Sequence, residues 1–184
     1  MEKVTFAEGE TVPQIFQSRV QLSGNKVALR YKKLGIWHDV TWNQYNEKVR
    51  GICLALLSLG LKHGECVSVI GDNCPEWVYI DLGTMHAGGV TVGVYATNSW
   101  EQCQYVVDHS NSRFYFVENE EQLDKALRFR EKVPQLEKII VWDLKSNRWL
   151  YTLKPPSEDP DRPVNLLEFS PDGTTLASIS EGAR

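Results

Sequence analysis

Cys66-Val-Ser-Val-Ile70, Val90-Thr-Val-Gly-Val94, Arg113-Phe-Tyr-Phe-Val117 and Lys138-Ile-Ile-Val-Trp142 are four short apolar runs, dense in β-branched and aromatic residues. Runs of this length between turn formers read as buried strands. Within them, Val69, Val92, Tyr115 and Ile140 stand 23, 23 and 25 residues apart. Each interval has room for one helix and two turns, as a parallel crossover needs. The intervals carry helix signals. Asn73 with Glu76 predicts a capping box, with Pro75 in the first turn and Gly88-Gly89 as the stop. Ser99 with Gln102 predicts a second box, opening Trp100 to His109. Asn119 opens a third helix, expected to turn Leu123, Ala126, Leu127 and Val133 to one face and to end at Pro134. The three units share no residue pattern, which removes a solenoid. The prediction is a three-layer α/β half-domain of order βαβαβαβ around a doubly wound parallel sheet.

Upstream, Thr11 to Val20 reads as a short amphipathic helix with Ile15, Phe16 and Val20 inward. Val27-Ala-Leu-Arg-Tyr31 and Ile36-Trp-His-Asp-Val40 alternate around Lys33-Leu-Gly35, which predicts a β-hairpin. Thr41 with Gln44 is a further capping box. Its helix carries Tyr45, Val49, Ile52, Cys53, Leu56 and Leu59 on one stripe and closes at Gly60. At 184 residues the chain suits one domain, or one with a further piece. Its net charge of −4 supplies neither a basic field for nucleic acid nor a polybasic membrane patch. Cys53, Cys66, Cys74 and Cys103 form no C-x-x-C pair and read as buried thiols of a reducing compartment. No apolar run approaches the ~20 residues of a transmembrane helix, and the N-terminus is too polar for a signal peptide. A cytoplasmic protein is expected.

Thr41-Trp-Asn-Gln-Tyr45, Gly64-Glu-Cys-Val-Ser-Val-Ile-Gly-Asp-Asn-Cys-Pro-Glu-Trp77, Ala87-Gly-Gly-Val90, Tyr95-Ala-Thr-Asn-Ser99, Gln104-Tyr-Val-Val-Asp108 and Val117-Glu-Asn119 resemble AMP-forming acyl-CoA synthetases. The likeness is to the N-terminal portion of a long-chain fatty-acid–CoA ligase and covers about residues 3–143. It implies the first part of an adenylating domain, which in that family precedes a small mobile domain. It also implies, for the intact enzyme, ATP, Mg²⁺, coenzyme A and a fatty acid that passes through an acyl-adenylate.

From residue 138 onward a second resemblance overlaps the first. Trp142-Asp143, Ser170-Pro-Asp-Gly173 and Leu176-Ala-Ser178 resemble WD-repeat propeller sequence, with a Pro-rich linker-like stretch at 155–163. Propellers close with about four to eight blades. Residues 144–184 are therefore expected to be a linker and a partial, β-rich tail.

Adenylation must neutralise a triphosphate, which calls for backbone amides in a Gly/Ser/Thr loop, a lysine and usually Mg²⁺. The family's Ser/Thr-Gly-rich loop, and the lysine of its last domain, have no counterpart in this sequence. No catalytic residue and no metal ligand is assigned, and the chain is expected not to adenylate by itself. Glycines 83, 88, 89 and 93 follow a helix and precede a strand, the wrong order for a phosphate-binding turn, so they read as helix stop and close packing. Asn73 to Glu76 does open a helix after a strand, but Glu76 opposes an anion there. Cys74 stands where a helix N-terminus lowers a thiol pKa, with no base beside it. His38, His63, His86 and His109 lack metal-ligand spacing, and Ser23, Ser99 and Ser170 lack a nucleophile setting. Trp37, Trp42, Trp77 and Trp100 read as core or interface, and the basic positions from Lys125 to Lys132 as a solvated face.

Substrate contacts are assigned to Tyr95, Ala96, Thr97 and Asn98, at the C-terminal end of the second parallel strand. Two rival functions are an interaction module that pairs through strand edges of the tail, notably 164–169, and a regulatory nucleotide-binding half-domain.

Overall fold

A computed structural model describes residues 8–142 and the two strands Leu166–Phe169 and Leu176–Ile179. The four apolar runs form one parallel sheet: β3 (Cys66–Ile70), β4 (Val90–Val94), β5 (Ser112–Val117) and β6 (Lys138–Val141). Its spatial order is β4-β3-β5-β6, every neighbouring pair parallel. Alternate side chains serve opposite layers, as strand geometry requires. Val67, Val69, Phe114, Phe116 and Ile140 pack with Ile52, Leu56 and Ile80, from α2 (Trp42–Ser58) and α3 (Pro75–His86). Ile70, Tyr115, Val117, Ile139 and Val141 pack with Cys103, Val107, Ala126 and Phe129, from α4 (Trp100–His109) and α5 (Glu120–Phe129). The three layers and the double winding are those expected.

A pair of hydroxyls within this core satisfy each other. Ser68 and Ser112 are fully buried on adjacent strands, their hydroxyls 2.7 Å apart, and Ser110 continues the chain at 2.8 Å.

A second, smaller core lies beside the first. Helix α1 (Val12–Ser23) brings Phe16 and Val20 against Tyr45 and Val49 of α2. The Phe16 ring meets Tyr45 edge-on at 4.9 Å, within the favoured range for aromatic pairs. Helix α2 therefore faces two ways: its first half covers α1 and its second half the sheet. The hairpin β1 (Val27–Lys33) and β2 (Ile36–Thr41) packs on this core through its base, at Ala28, Leu29 and Val40. Leu34 and Gly35 turn it, with φ of +50° and +82°, the left-handed pair of a type I′ turn.

Several expectations are corrected. Helix α3 is capped by Cys74 in extended backbone with no side-chain cap, so Asn73 and Glu76 form no box. Pro75 drives the residue before it to extended φ and ψ, which leaves Asn73 one position too early. The α5 face is Gln122, Ala126 and Phe129, while Leu127 is 40% exposed. Val133 is buried but follows the helix, after a 3-10 turn at Arg130–Lys132. Trp37, expected in the core or at an interface, is 62% exposed on the hairpin, which leaves the interface half of that expectation. Lys125 is not on a solvated face, as described below. Strand β5 begins one residue before its apolar run, and β6 ends one residue before the end of its own.

Strands β7 (Leu166–Phe169) and β8 (Leu176–Ile179) pair antiparallel in a separate two-stranded sheet. The linker at 155–163, the turn at 170–173 and Asp143 lie outside the described residues.

Candidate functional site

In an open parallel sheet, ligands sit beyond the C-terminal strand ends, where the winding reverses. Here β3 leads to β4 on one side and β4 leads across to β5 on the other, so the reversal lies between β3 and β5. That crevice is filled by the chain itself. A Cβ on Gly71 would stand 2.6 Å from the Trp142 ring and 2.9 Å from Glu118 Cβ, so the glycine permits their approach. The Asp72 amide donates to Glu118 Oε2 at 2.8 Å, and the Trp142 amide to the Val117 carbonyl at 3.2 Å. Asp72, Glu76 and Glu118 make the local charge negative. These residues do not fit a nucleotide triphosphate.

The loop assigned to substrate lies at the edge strand instead. Residues 95–98 form a turn in which the Asn98 amide donates to the Tyr95 carbonyl at 3.0 Å. Lys125 Nζ reaches across from α5 to the Ala96 carbonyl at 2.8 Å, and Gln122 Nε2 approaches it at 3.5 Å. Glu121 holds Lys125 in place at 3.2 Å. Ser99 then opens α4 with the predicted box: its hydroxyl accepts from the Gln102 amide, and its own amide donates to Gln102 Oε1 at 3.0 Å. Of the four assigned residues, Tyr95 is 80% exposed and Thr97 is exposed, while Ala96 and Asn98 are half-buried. The turn is rigidly held at its carbonyl and presents one aromatic ring and one hydroxyl outward. Beneath it, burial pushes the Cys103 thiol up and the Tyr115 hydroxyl far up, so neither ionises near neutrality.

Sequence periodicity did not reveal Lys125 and Gln122 as the holders of this turn. The signal lay in neighbours on one helix whose polar ends outlast a buried stem.

The other candidates are structural. Cys74 is pushed up to about 11, because burial and the Glu76 carboxylate outweigh a hydrogen bond from the Trp77 amide. The helix N-terminus therefore yields no thiolate at neutral pH. His38 stacks on Tyr31 and His109 on Tyr105. His86 Nδ1 lies 2.7 Å from the Leu82 carbonyl, and His63 Nδ1 lies 3.2 Å from the Gly88 carbonyl. Gly83 and Gly89 are packing glycines: a Cβ would meet Ile52 at 2.5 Å and Leu61 at 2.9 Å respectively. Among the described residues no group of His, Cys, Asp and Glu could hold a metal ion, and no helix is long and apolar enough to cross a membrane.

Known proteins share this arrangement. A sequence model of the AMP-binding enzyme family matches residues 16–179. The chain is 39% identical over 147 residues to long-chain-fatty-acid–CoA ligase ACSBG2 of Xenopus laevis, covering 78% of this chain and 20% of that protein. It is 43% identical over 117 residues to ACSBG2 of Mus musculus, covering 64% and 18%. Among solved structures, an anthranilate CoA ligase in complex with anthranoyl-AMP superposes with a TM-score of 0.65 at 25% identity, over 71% of this chain and 24% of that one. The A-PCP didomain of a carboxylic acid reductase from Segniliparus rugosus, at 16% identity, shares the fold with a TM-score of 0.67 over 76% and 22%. The chain thus spans about a fifth of the length of the curated relatives it matches. The family match runs to residue 179, and these comparisons lend no support to the propeller resemblance. This chain belongs to the AMP-binding enzyme family.

Proposed function

We propose that residues 8–142 are scaffold of the adenylating domain of a cytoplasmic long-chain fatty-acid–CoA ligase, and that this chain alone activates no fatty acid. The observation that carries the first half is the family match over 16–179 together with the ligase relatives. The second half rests on the sequence, which holds no Ser/Thr-Gly loop with its lysine, and on the carboxylates that crowd the strand-end crevice. In this reading ATP, Mg²⁺, coenzyme A and the fatty acid are gripped by parts of the enzyme that these residues support. The turn at Tyr95–Asn98 lies on the acyl side, where Tyr95 offers an apolar ring.

Hydroxamate trapping with ATP, Mg²⁺ and palmitate tests the inactivity. No hydroxamate above the protein-free blank is expected, and clear turnover sinks that half. In a full-length ligase carrying this segment, Tyr95→Ala should raise KM for palmitate severalfold and leave KM for ATP unchanged. An equal rise in both would remove the turn from the acyl side.

A second reading has one favouring observation. Strands β7 and β8 pair only with each other among the described strands, so each has a further backbone edge through which a partner strand could add. Light scattering after size exclusion separates the two: a monomer at all concentrations argues against self-pairing through that edge.

A further inference from the structure

The hairpin tip breaks two rules at once. Leu34 occupies left-handed backbone at φ +50°, which disfavours any residue with a bulky side chain and suits Asn or Gly. It is also 95% exposed, so no packing of described residues offsets the strain. Ile36 and Trp37 beside it are 64% and 62% exposed. Three large apolar side chains thus project at the end of a two-stranded arm whose base packs on a core. The charges around them share one sign. Lys33 is the register partner of Ile36, and Lys32 that of Trp37, with its ammonium 5.9 Å from the centre of the Trp37 ring. The nearest acid on the arm, Asp39, is bound to Arg30 at 2.5 Å. The net charge of −4 conceals this local positive tip.

From this geometry we propose that the β1–β2 tip is a docking element for an anionic lipid bilayer. Leu34 and Ile36 enter the acyl boundary, Trp37 lies at the headgroup level, and Lys32 and Lys33 meet lipid phosphates and carboxylates. Strain retained at a fully exposed leucine is what a site selected for contact, and not for folding, would show. The charge complementarity selects a bilayer over an apolar protein groove, since both lysines remain beside the inserted residues. The inference does not depend on fatty-acid chemistry.

Sedimentation of the 184-residue chain with sucrose-loaded vesicles tests it. Binding to phosphatidylcholine/phosphatidylserine vesicles is expected, with weaker binding to phosphatidylcholine alone. Leu34→Asn creates an Asn-Gly type I′ turn, so the hairpin should fold at least as well while the tip loses its apex. It should weaken vesicle binding about tenfold, the value of one buried leucine. The double change Lys32→Glu and Lys33→Glu should do the same on the anionic vesicles only. Tyr105→Ser, at a 67% exposed aromatic on α4, serves as the control and should bind normally. The proposal is overturned if the parent chain does not sediment, if Leu34→Asn binds as well as the parent, or if Tyr105→Ser loses as much. Self-association that Leu34→Asn abolishes, with no vesicle binding, would assign the tip to contacts between copies and overturn it equally.

Discussion

Gly83 and Gly51 sit in adjacent helices, yet adding a methyl group to each should have opposite effects. At Gly83 the new Cβ would meet Ile52 Cβ at 2.6 Å and the Val49 carbonyl at 3.1 Å, neither of which can swing aside. Gly83→Ala should therefore cost about 1–3 kcal/mol, against a helix-propensity gain of about 1 kcal/mol. Gly51 meets nothing within 4 Å in the middle of α2, so Gly51→Ala should stabilise by about 0.5–1 kcal/mol. Urea midpoints at constant m-value read both. Asp81 gives a pH signature. Burial lifts its carboxyl above the ordinary range, partly opposed by a hydrogen bond from Thr91. The folded state then holds this proton more tightly than the unfolded chain. Its contribution is fully present below about pH 4 and is lost as pH rises through the folded value. Asp81→Asn should raise stability at pH 7, and the difference should close in acid; a constant difference across pH would refute the burial argument. Close packing at Gly83 was legible in the sequence, but its partner was not, because an approach between two helices leaves no mark in the residues of either one.

Elements were far more legible than their neighbours. The boxes at Thr41–Gln44 and Ser99–Gln102 form as written, since both partners lie within four residues and need no tertiary help. The box at Asn73–Glu76 failed because proline governs its own predecessor, a stronger local rule than the spacing. The strand runs were found within one residue, but their order in space was not, and that order sets the winding reversal beside Gly71 and Trp142. Lys125 links an element to its neighbour and supplies a test. Lys125→Met keeps the stem and removes the bond to the Ala96 carbonyl, at a cost of about 1 kcal/mol. Amide exchange at Asn98, whose hydrogen bond closes the turn, should quicken about fivefold, with exchange in β3 unchanged. Equal quickening throughout would mean that the lysine supports the fold at large and not this turn.

At the scale of the molecule, β7 and β8 share no strand pairing with the parallel sheet. A chain ending at residue 143 should therefore keep the cooperative transition of the α/β unit, with Tm within about 3 °C of the parent. A larger loss would show that the α/β unit draws support from residues 144–184. The spatial order of the sheet has a consequence for its making. β3 is synthesised first and stands inside, β4 arrives next and lies along one flank, β5 takes the other flank, and β6 then joins β5. No later strand must wedge between two that have already met. Growth from a ribosome can thus proceed outward from a single seed, each arrival laid down on what is there, with nothing to be unzipped.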